Sequence, residues 1–263
     1  MIDPIVFSIG SFSIRWYSLG YIFGFGTAYL LMRYRLKHED FNYPLDLIHD
    51  AMLWGIIGVV LGGRLGFVFF YAPAYFLANP LEIIVPFNLS TGQFTGISGM
   101  SFHGGLIAVI LVGWWLLKKY KVNFWDFADF VIPALPLGYT FGRLGNFANS
   151  ELYGRATDSV FGMYFATDPE GLLRHPSQLY EAGLEGLVLF VILWSIRKKA
   201  WAKGKMLGFY LIGYGLARFI VEFVRELDPH TGLVIGPFTM GQVLSSLMIF
   251  AGLGLIWWRR KKD

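Results

Sequence analysis

Seven arginines in this chain stand apart from every other basic residue. All ten lysines and five of the twelve arginines fall in four short runs, Arg33–Lys37, Lys118–Lys121, Arg197–Lys205 and Arg259–Lys262. Arg15, Arg64, Arg143, Arg155, Arg174, Arg218 and Arg225 lie outside them. A guanidinium offers a planar fork that grips a carboxylate or phosphate through two hydrogen bonds, which an ammonium cannot do. Arg64, Arg143 and Arg218 sit inside or near the ends of long apolar stretches. A charge at that depth costs at least ~2.5–3.5 kcal/mol on insertion scales, so it needs a partner or a task. Tyr214, Arg218 and Glu222 are spaced i, i+4, i+8, and Arg143 with Asn146 i, i+3, so each set shares a helix face. The run from Gly142 to Arg155 adds Asn149 and Glu151 within a few residues. The chemistry this points to is recognition of an anion, phosphate above all. For any single pair, Arg218 with Glu222 or Arg143 with Glu151, a buried structural ion pair is the alternative.

Such groups need a scaffold that holds them at one level, and the composition names it. The hydrophobic fraction is 55%, the charged fraction 15% and the mean hydropathy +0.52. A soluble domain carries roughly 25% charged residues, so this chain cannot solvate its own surface and needs lipid. Apolar stretches near the roughly 20 residues required to cross the bilayer core fall at about 14–32, 51–71, 101–117, 127–147, 178–196, 206–224 and 239–258. The four basic runs follow the first, third, fifth and seventh stretches. The positive-inside rule reads them as cytoplasmic ends. The sequence therefore predicts an all-α polytopic membrane protein of about seven transmembrane helices, with its N-terminus outside and its C-terminus cytoplasmic. The net charge of +4 and pI near 9.2 encode orientation rather than a nucleic-acid partner. No basic segment opens the chain and Asp3 is acidic, so no cleavable signal is expected.

No linker or repeat divides residues 1–263, which predicts a single domain with outer-face segments at about 72–100 and 148–177. Gly55, Gly58, Gly62 and Gly66 form one stripe on the second span, where a neighbouring helix can approach closely. Pro133 and Pro136 should kink or delay the fourth. With this topology Tyr17, His103, Arg143, Asn146, His175, Gln178, Tyr180, Glu181, Tyr214, Arg218 and Glu222 all fall in the outer half of the bilayer. Structural ion pairs have no reason to share one depth. A binding site has, and lipid phosphates sit at that depth. The absence of cysteine excludes disulfides, thiolate metal sites and a cysteine nucleophile on the protein itself.

At these residues the chain resembles the prolipoprotein diacylglyceryl transferases. The resemblance runs through Arg15-Trp16-Tyr17, Gly62-Gly63-Arg64, Met100-Ser101-Phe102-His103-Gly104-Gly105, Gly142 to Gly154, His175-Pro176-Ser177-Gln178-Leu179-Tyr180-Glu181, and Gly213-Tyr214 through Arg218 to Glu222-Phe223. Ala148 departs from it, since the family usually carries a larger apolar residue there. The resemblance implies transfer of the diacylglyceryl group of phosphatidylglycerol to the lipobox cysteine of a prolipoprotein. A thioether forms, glycerol phosphate leaves, and no cofactor or metal takes part. It implies a bacterial inner-membrane enzyme whose partners are phosphatidylglycerol, the prolipoprotein signal peptide and membrane lipids. On that reading Arg143 and Arg218 grip the phosphate, Asn146 and Tyr17 hold headgroup or ester oxygens, and Glu151 and Glu222 orient the arginines. His103 is the preferred base, with Glu151 and His175 as competitors. Arg64, Gly154, His175 and Tyr214 complete the expected substrate-binding set.

Three rivals fit less well. Gly96-Ile97-Ser98-Gly99 matches a serine-protease pattern, but four residues mean little in a chain with 32 glycines, and spans 4 to 7 carry no histidine to serve as base. A retinal receptor needs a lysine inside its last span, which is absent here. A lipid transporter or scramblase predicts polar residues along the whole crossing path, whereas the inner halves of the spans look nearly devoid of charge, with Glu185 the exception. The five histidines lack metal-ligand spacing, and no nucleotide or phosphate-loop fingerprint occurs.

Overall fold

A computed structural model describes residues 3–9, 12–85, 99–227 and 232–261. They form two compact units, residues 42–123 and the remainder of the chain. The fold is all-helical, trimmed by two short antiparallel ribbons, β1 (Ile5–Ile9) with β2 (Phe12–Arg15) and β3 (Leu233–Ile235) with β4 (Phe238–Thr239).

Residues 42–123 are built on a helix pair, α2 (Leu45–Phe70) and α4 (Phe102–Tyr120). Their backbones meet at glycine: a Cβ on Gly62 would lie 2.6 Å from the Gly104 carbonyl oxygen, and one on Gly66 2.7 Å from the Gly104 Cα. Three members of the predicted stripe thus face α4, while a Cβ on Gly55 would meet nothing within 4 Å. Ser101 caps α4 by accepting from the Gly104 amide at 3.3 Å, and its own amide donates to Gly63 at 2.8 Å. Between the two helices, α3 (Pro73–Ala78) and a 3-10 turn (Pro80–Ile83) occupy the first part of the expected outer segment. Its later part, with Ser98 of the protease-like pattern, lies outside the described residues.

The larger unit opens with α1 (Trp16–His38), which packs antiparallel on α6 (Leu135–Ala148): Tyr17 meets Gly145, Gly20 meets Phe141, and Gly24 meets Gly138. The prolines act as expected. The chain rises as α5 (Phe124–Val131), breaks into a 3-10 turn at Ile132–Ala134, and resumes in α6. Next, α7 (Ser177–Glu181), a π-helical segment (Ala182–Val188) and α8 (Leu189–Ile196) run on as one rod. The last pair, α9 (Met206–Val221) and α10 (Met240–Arg260), is antiparallel, with Gly208 against Gly252 and Gly215 against Ser245. The core joins Ala128, Ile132, Leu189, Leu193, Ala202 and Met206.

Among the described residues, four helices are long and apolar enough to cross a membrane: Leu45–Phe70, Phe102–Tyr120, Ser177–Ile196 and Met240–Arg260. Met206–Val221 is a shorter apolar helix. Two boundaries differ from the sequence reading for physical reasons. The second span begins six residues early because Leu47 and Ile48 are buried and belong to the helix. The first continues six residues further because Arg35, read as a topological charge, is a buried packing residue, 1% exposed.

Arg35 anchors one end of this unit. Its Nε and Nη2 donate to Glu39 Oε2 at 2.8 and 2.7 Å, and its Nη1 to the carbonyls of Asp129 and Phe130 at 2.7 and 2.6 Å. Arg197 Nε closes on Glu39 Oε1 at 2.8 Å. The Asp129 carboxylate accepts from the amides of Gly204 and, at 3.1 Å, Met206, fixing the start of α9.

Candidate active site

The opposite end of the same unit collects the predicted polar residues. Tyr139, Arg143 and Asn146 lie at i, i+4 and i+7 on α6, so one face presents all three. Glu181 closes α7 and Glu185 lies in the π segment; such widened turns are frequent at functional sites. Tyr214 and Arg218 come from α9, Glu222 caps it, and Arg225 follows. Antiparallel packing of α1 on α6 and of α9 on α10, fixed by glycine contacts, sets their level.

Glu181, 0% exposed, is the hub. Its Oε2 lies 2.6 Å from Arg143 Nε; its Oε1 pairs with Arg218 Nη1 at 3.3 Å and, closer still, with Arg225 Nη1. Arg143 Nε donates to the Tyr139 hydroxyl at 2.7 Å, which donates on to Glu185 Oε2 at 2.6 Å. Arg143 Nη1 donates to Asn146 Oδ1 at 3.3 Å, and Asn146 Nδ2 to Glu151 Oε1 at 2.8 Å. Arg218 Nη2 lies 2.8 Å from Glu222 Oε2, and Thr239 Oγ1 donates to Glu222 Oε1 at 3.0 Å. A carboxylate shared by three guanidiniums keeps them from scattering by mutual repulsion. It also leaves donors uncommitted. Among the described residues, nothing is hydrogen-bonded to Arg143 Nη2 or Arg218 Nε, and their side chains are 19% and 17% exposed. Unused guanidinium donors on a partly open face can bind an oxyanion.

The structure sorts the other expected residues. Tyr17 bonds Tyr21 through its hydroxyl at 2.8 Å and packs its backbone on Gly145. Tyr214 sits edge-on to Tyr139 and stacked with Tyr210. His175 reaches Tyr180 at 3.4 Å, and its carbonyl accepts from the Gly154 amide at 2.8 Å. Gly154 is needed where two backbones close in: a Cβ there would fall 2.9 Å from the His175 Cβ and clash with the Val224 carbonyl. Glu151 reaches Arg143 only through Asn146; the carboxylate beside Arg143 is Glu181, which corrects the expected pairing. Glu222 does lie against Arg218. His103 and Arg64 belong to the unit of residues 42–123. His103 is exposed in the first turn of α4, edge-on to Phe102. Arg64 is held by the 3-10 turn, donating to the carbonyls of Ile83 at 2.9 Å and Glu82 at 2.6 Å beneath the Phe76 ring.

Two of the seven arginines brace the fold. Arg174 ties the 148–177 segment together through Asp168 at 2.9 Å, Glu170 at 2.5 Å and Glu226 at 2.7 Å. Its hydrogen bonds hold the Asp168 carboxyl below the usual carboxylate range. Arg155 donates to the Arg225 carbonyl at 2.8 Å. Of the residues gathered here, sequence reasoning placed Glu181 at this level without a role, counted Arg225 among the isolated arginines, and assigned neither Tyr139 nor Glu185 to the site. Tyr139 was within reach, one turn before Arg143 at i, i+4. The three-way sharing of Glu181 depends on how α6, α7 and α9 meet, which no local spacing reveals.

The chain is similar to named proteins along nearly its whole length. A family profile described as prolipoprotein diacylglyceryl transferase matches residues 4–258. A protein of Chlorobaculum tepidum named phosphatidylglycerol–prolipoprotein diacylglyceryl transferase is 51% identical over 262 residues, covering 99% of this chain and 91% of its own. Proteins of the same name from Pseudoalteromonas atlantica and Bordetella parapertussis are 47% and 49% identical, covering 100% and 97% of this chain and 91% and 94% of theirs.

Proposed function

The chain belongs to the prolipoprotein diacylglyceryl transferase family, and from that premise we propose that it moves the diacylglyceryl group of phosphatidylglycerol onto the lipobox cysteine of prolipoproteins. The observation that carries this reading is the pair of partly open guanidiniums, Arg143 and Arg218, held on one shared carboxylate. A carbon–sulfur bond forms at the glyceryl carbon as its carbon–oxygen bond to phosphate breaks. Charge builds on the departing phosphate, and preorganised arginine donors stabilise it. The thiol proton leaves with the sulfur's attack. Because a free thiol titrates near ~8.5, a base aids that step. His103 is the proposed base, and His103→Ala with unaltered turnover across pH would remove it from the mechanism. Asn146 and Tyr17 hold headgroup or ester oxygens, and Glu222 orients Arg218.

The same reading completes the topology. The helices α1, α5 with α6, and α9 join the four long apolar helices to give seven crossings in one transmembrane domain. The N-terminus is outside, the Arg35 end is cytoplasmic, and the Arg143 end faces the outer leaflet of the bacterial inner membrane. The basic runs at Lys118–Lys121, Arg197–Lys205 and Arg259–Lys262 support that orientation. The test uses purified protein in phosphatidylglycerol vesicles with a lipobox peptide, read by mass spectrometry. A diacylglyceryl adduct on cysteine that Arg143→Ala abolishes is expected; folded protein giving no adduct would favour lipid transport instead.

A further inference from the structure

The turn that carries Glu151 is held in an unusual backbone. Ser150 and Leu152, on either side of Glu151, have φ of 57° and 59°. Left-handed backbone is uncommon for residues with a Cβ and persists where surrounding structure over-determines it. Here three consecutive carbonyls are each gripped by a different side chain. Thr167 Oγ1 donates to the Ser150 carbonyl, Gln178 Nε2 to that of Glu151 at 2.6 Å, and Ser177 Oγ to that of Leu152 at 3.0 Å. Ser177 and Gln178 are both 0% exposed. Among the described residues, Gln178 Oε1 is buried and without a partner. A buried amide with one idle end is costly, so its donor is what the fold retains it for.

That donor also closes a circuit. Gln178 stands three residues before Glu181 in the same short helix, so one turn both sets Glu181 against Arg143 and holds the backbone of Glu151. From Glu151 the path returns through its own amide to the Asn146 carbonyl at 3.1 Å, through Asn146 Nδ2 to Glu151 Oε1, and through Asn146 Oδ1 to Arg143. We infer that Gln178, seconded by Ser177 and Thr167, is a positioning residue: it locks the Ser150–Leu152 turn so that Glu151 holds Asn146, and thereby Arg143, in register with Glu181. The inference rests on the transferase reading above.

A double-mutant cycle tests it, with the rate of diacylglyceryl adduct formation on a lipobox peptide in phosphatidylglycerol vesicles as the measurement. Gln178→Leu should lower kcat/KM by about 10²-fold, the scale of an ångström's misplacement. In a Glu151→Ala background the same change should cost less than about threefold, because a residue acting through Glu151 has nothing left to position. Multiplying losses would overturn the inference and leave Gln178 a structural residue. Should Gln178→Leu not fold, Leu152 decides. Leu152→Gly accepts positive φ and should keep wild-type kcat, whereas β-branched Leu152→Val resists it and should lose roughly tenfold or more with every hydrogen-bonding side chain intact. Equal rates for those two variants would also overturn it. Wild-type protein that makes no adduct would instead bring down the transferase reading itself.

Discussion

Arg35 and Arg143 occupy opposite ends of one helical unit and answer the same cost of burial in opposite ways. Arg35 is 1% exposed and makes four hydrogen bonds, two to Glu39 and two to backbone carbonyls. Arg143 is 19% exposed and makes two hydrogen bonds, with Glu181 close by as counter-charge. A guanidinium with four of its five N–H donors committed and its side chain 1% exposed has little to offer a ligand and serves as a rivet. A partly satisfied one, kept in place by a carboxylate that two other arginines share, can take an anion without first breaking the fold. Residue type alone does not separate the two cases. Counting committed donors does.

The sharpest way to break this contrast is to remove each arginine in turn. Arg143→Ala or Arg218→Ala should cut transfer by at least ~10²–10³-fold, the scale of losing one preorganised oxyanion donor. Thermal stability should change little, because the remaining guanidiniums still neutralise Glu181. Arg35→Ala should do the reverse. It leaves Glu39 Oε2 and two carbonyls buried without their donor, with Arg197 still on the other Glu39 oxygen, costing at least about 1–3 kcal/mol in denaturant or thermal unfolding, while the folded fraction keeps its specific activity. Equal stability losses at the two ends would erase the distinction.

A second substitution acts on the hinge between the ends. A Cβ on Gly24 would fall 2.7 Å from the Gly138 carbonyl oxygen, so Gly24→Ala should force α1 from α6 and cost about 1–3 kcal/mol by overpacking. Gly55→Ala, where a Cβ meets open space, is the control and should be near neutral in the same melting experiment.

The smallest effect concerns pH. Arg174 keeps the folded Asp168 carboxyl below the ~3.9 of an unfolded aspartate. Its stabilisation is therefore present above that value and lost as pH falls through the depressed folded value. Asp168→Asn should flatten the acid limb of the stability profile and leave the neutral range nearly flat.

Much of the site was legible because its parts repeat along single helices. Arg143 with Asn146, and Arg218 with Glu222, are helical neighbours, and the structure places each pair together. Arg35 was not legible, since a basic residue after an apolar stretch reads as a topological charge whether it snorkels or packs inward. The contacts of Arg64 were not legible for a related reason: carbonyls of a 3-10 turn are among its partners, and backbone acceptors leave no trace in residue types. Glu181 carried the signal of an acid at a helix start, yet its role as hub arises only where three helices meet.

Arg143 is proposed to grip phosphate as a two-pronged fork rather than as a bare charge. Arg143→Lys keeps the charge and removes the fork, so adduct formation on a lipobox peptide in phosphatidylglycerol vesicles tests it most directly. A loss approaching that of Arg143→Ala is expected, with the fold intact by thermal melting. Wild-type turnover in the lysine variant would contradict it.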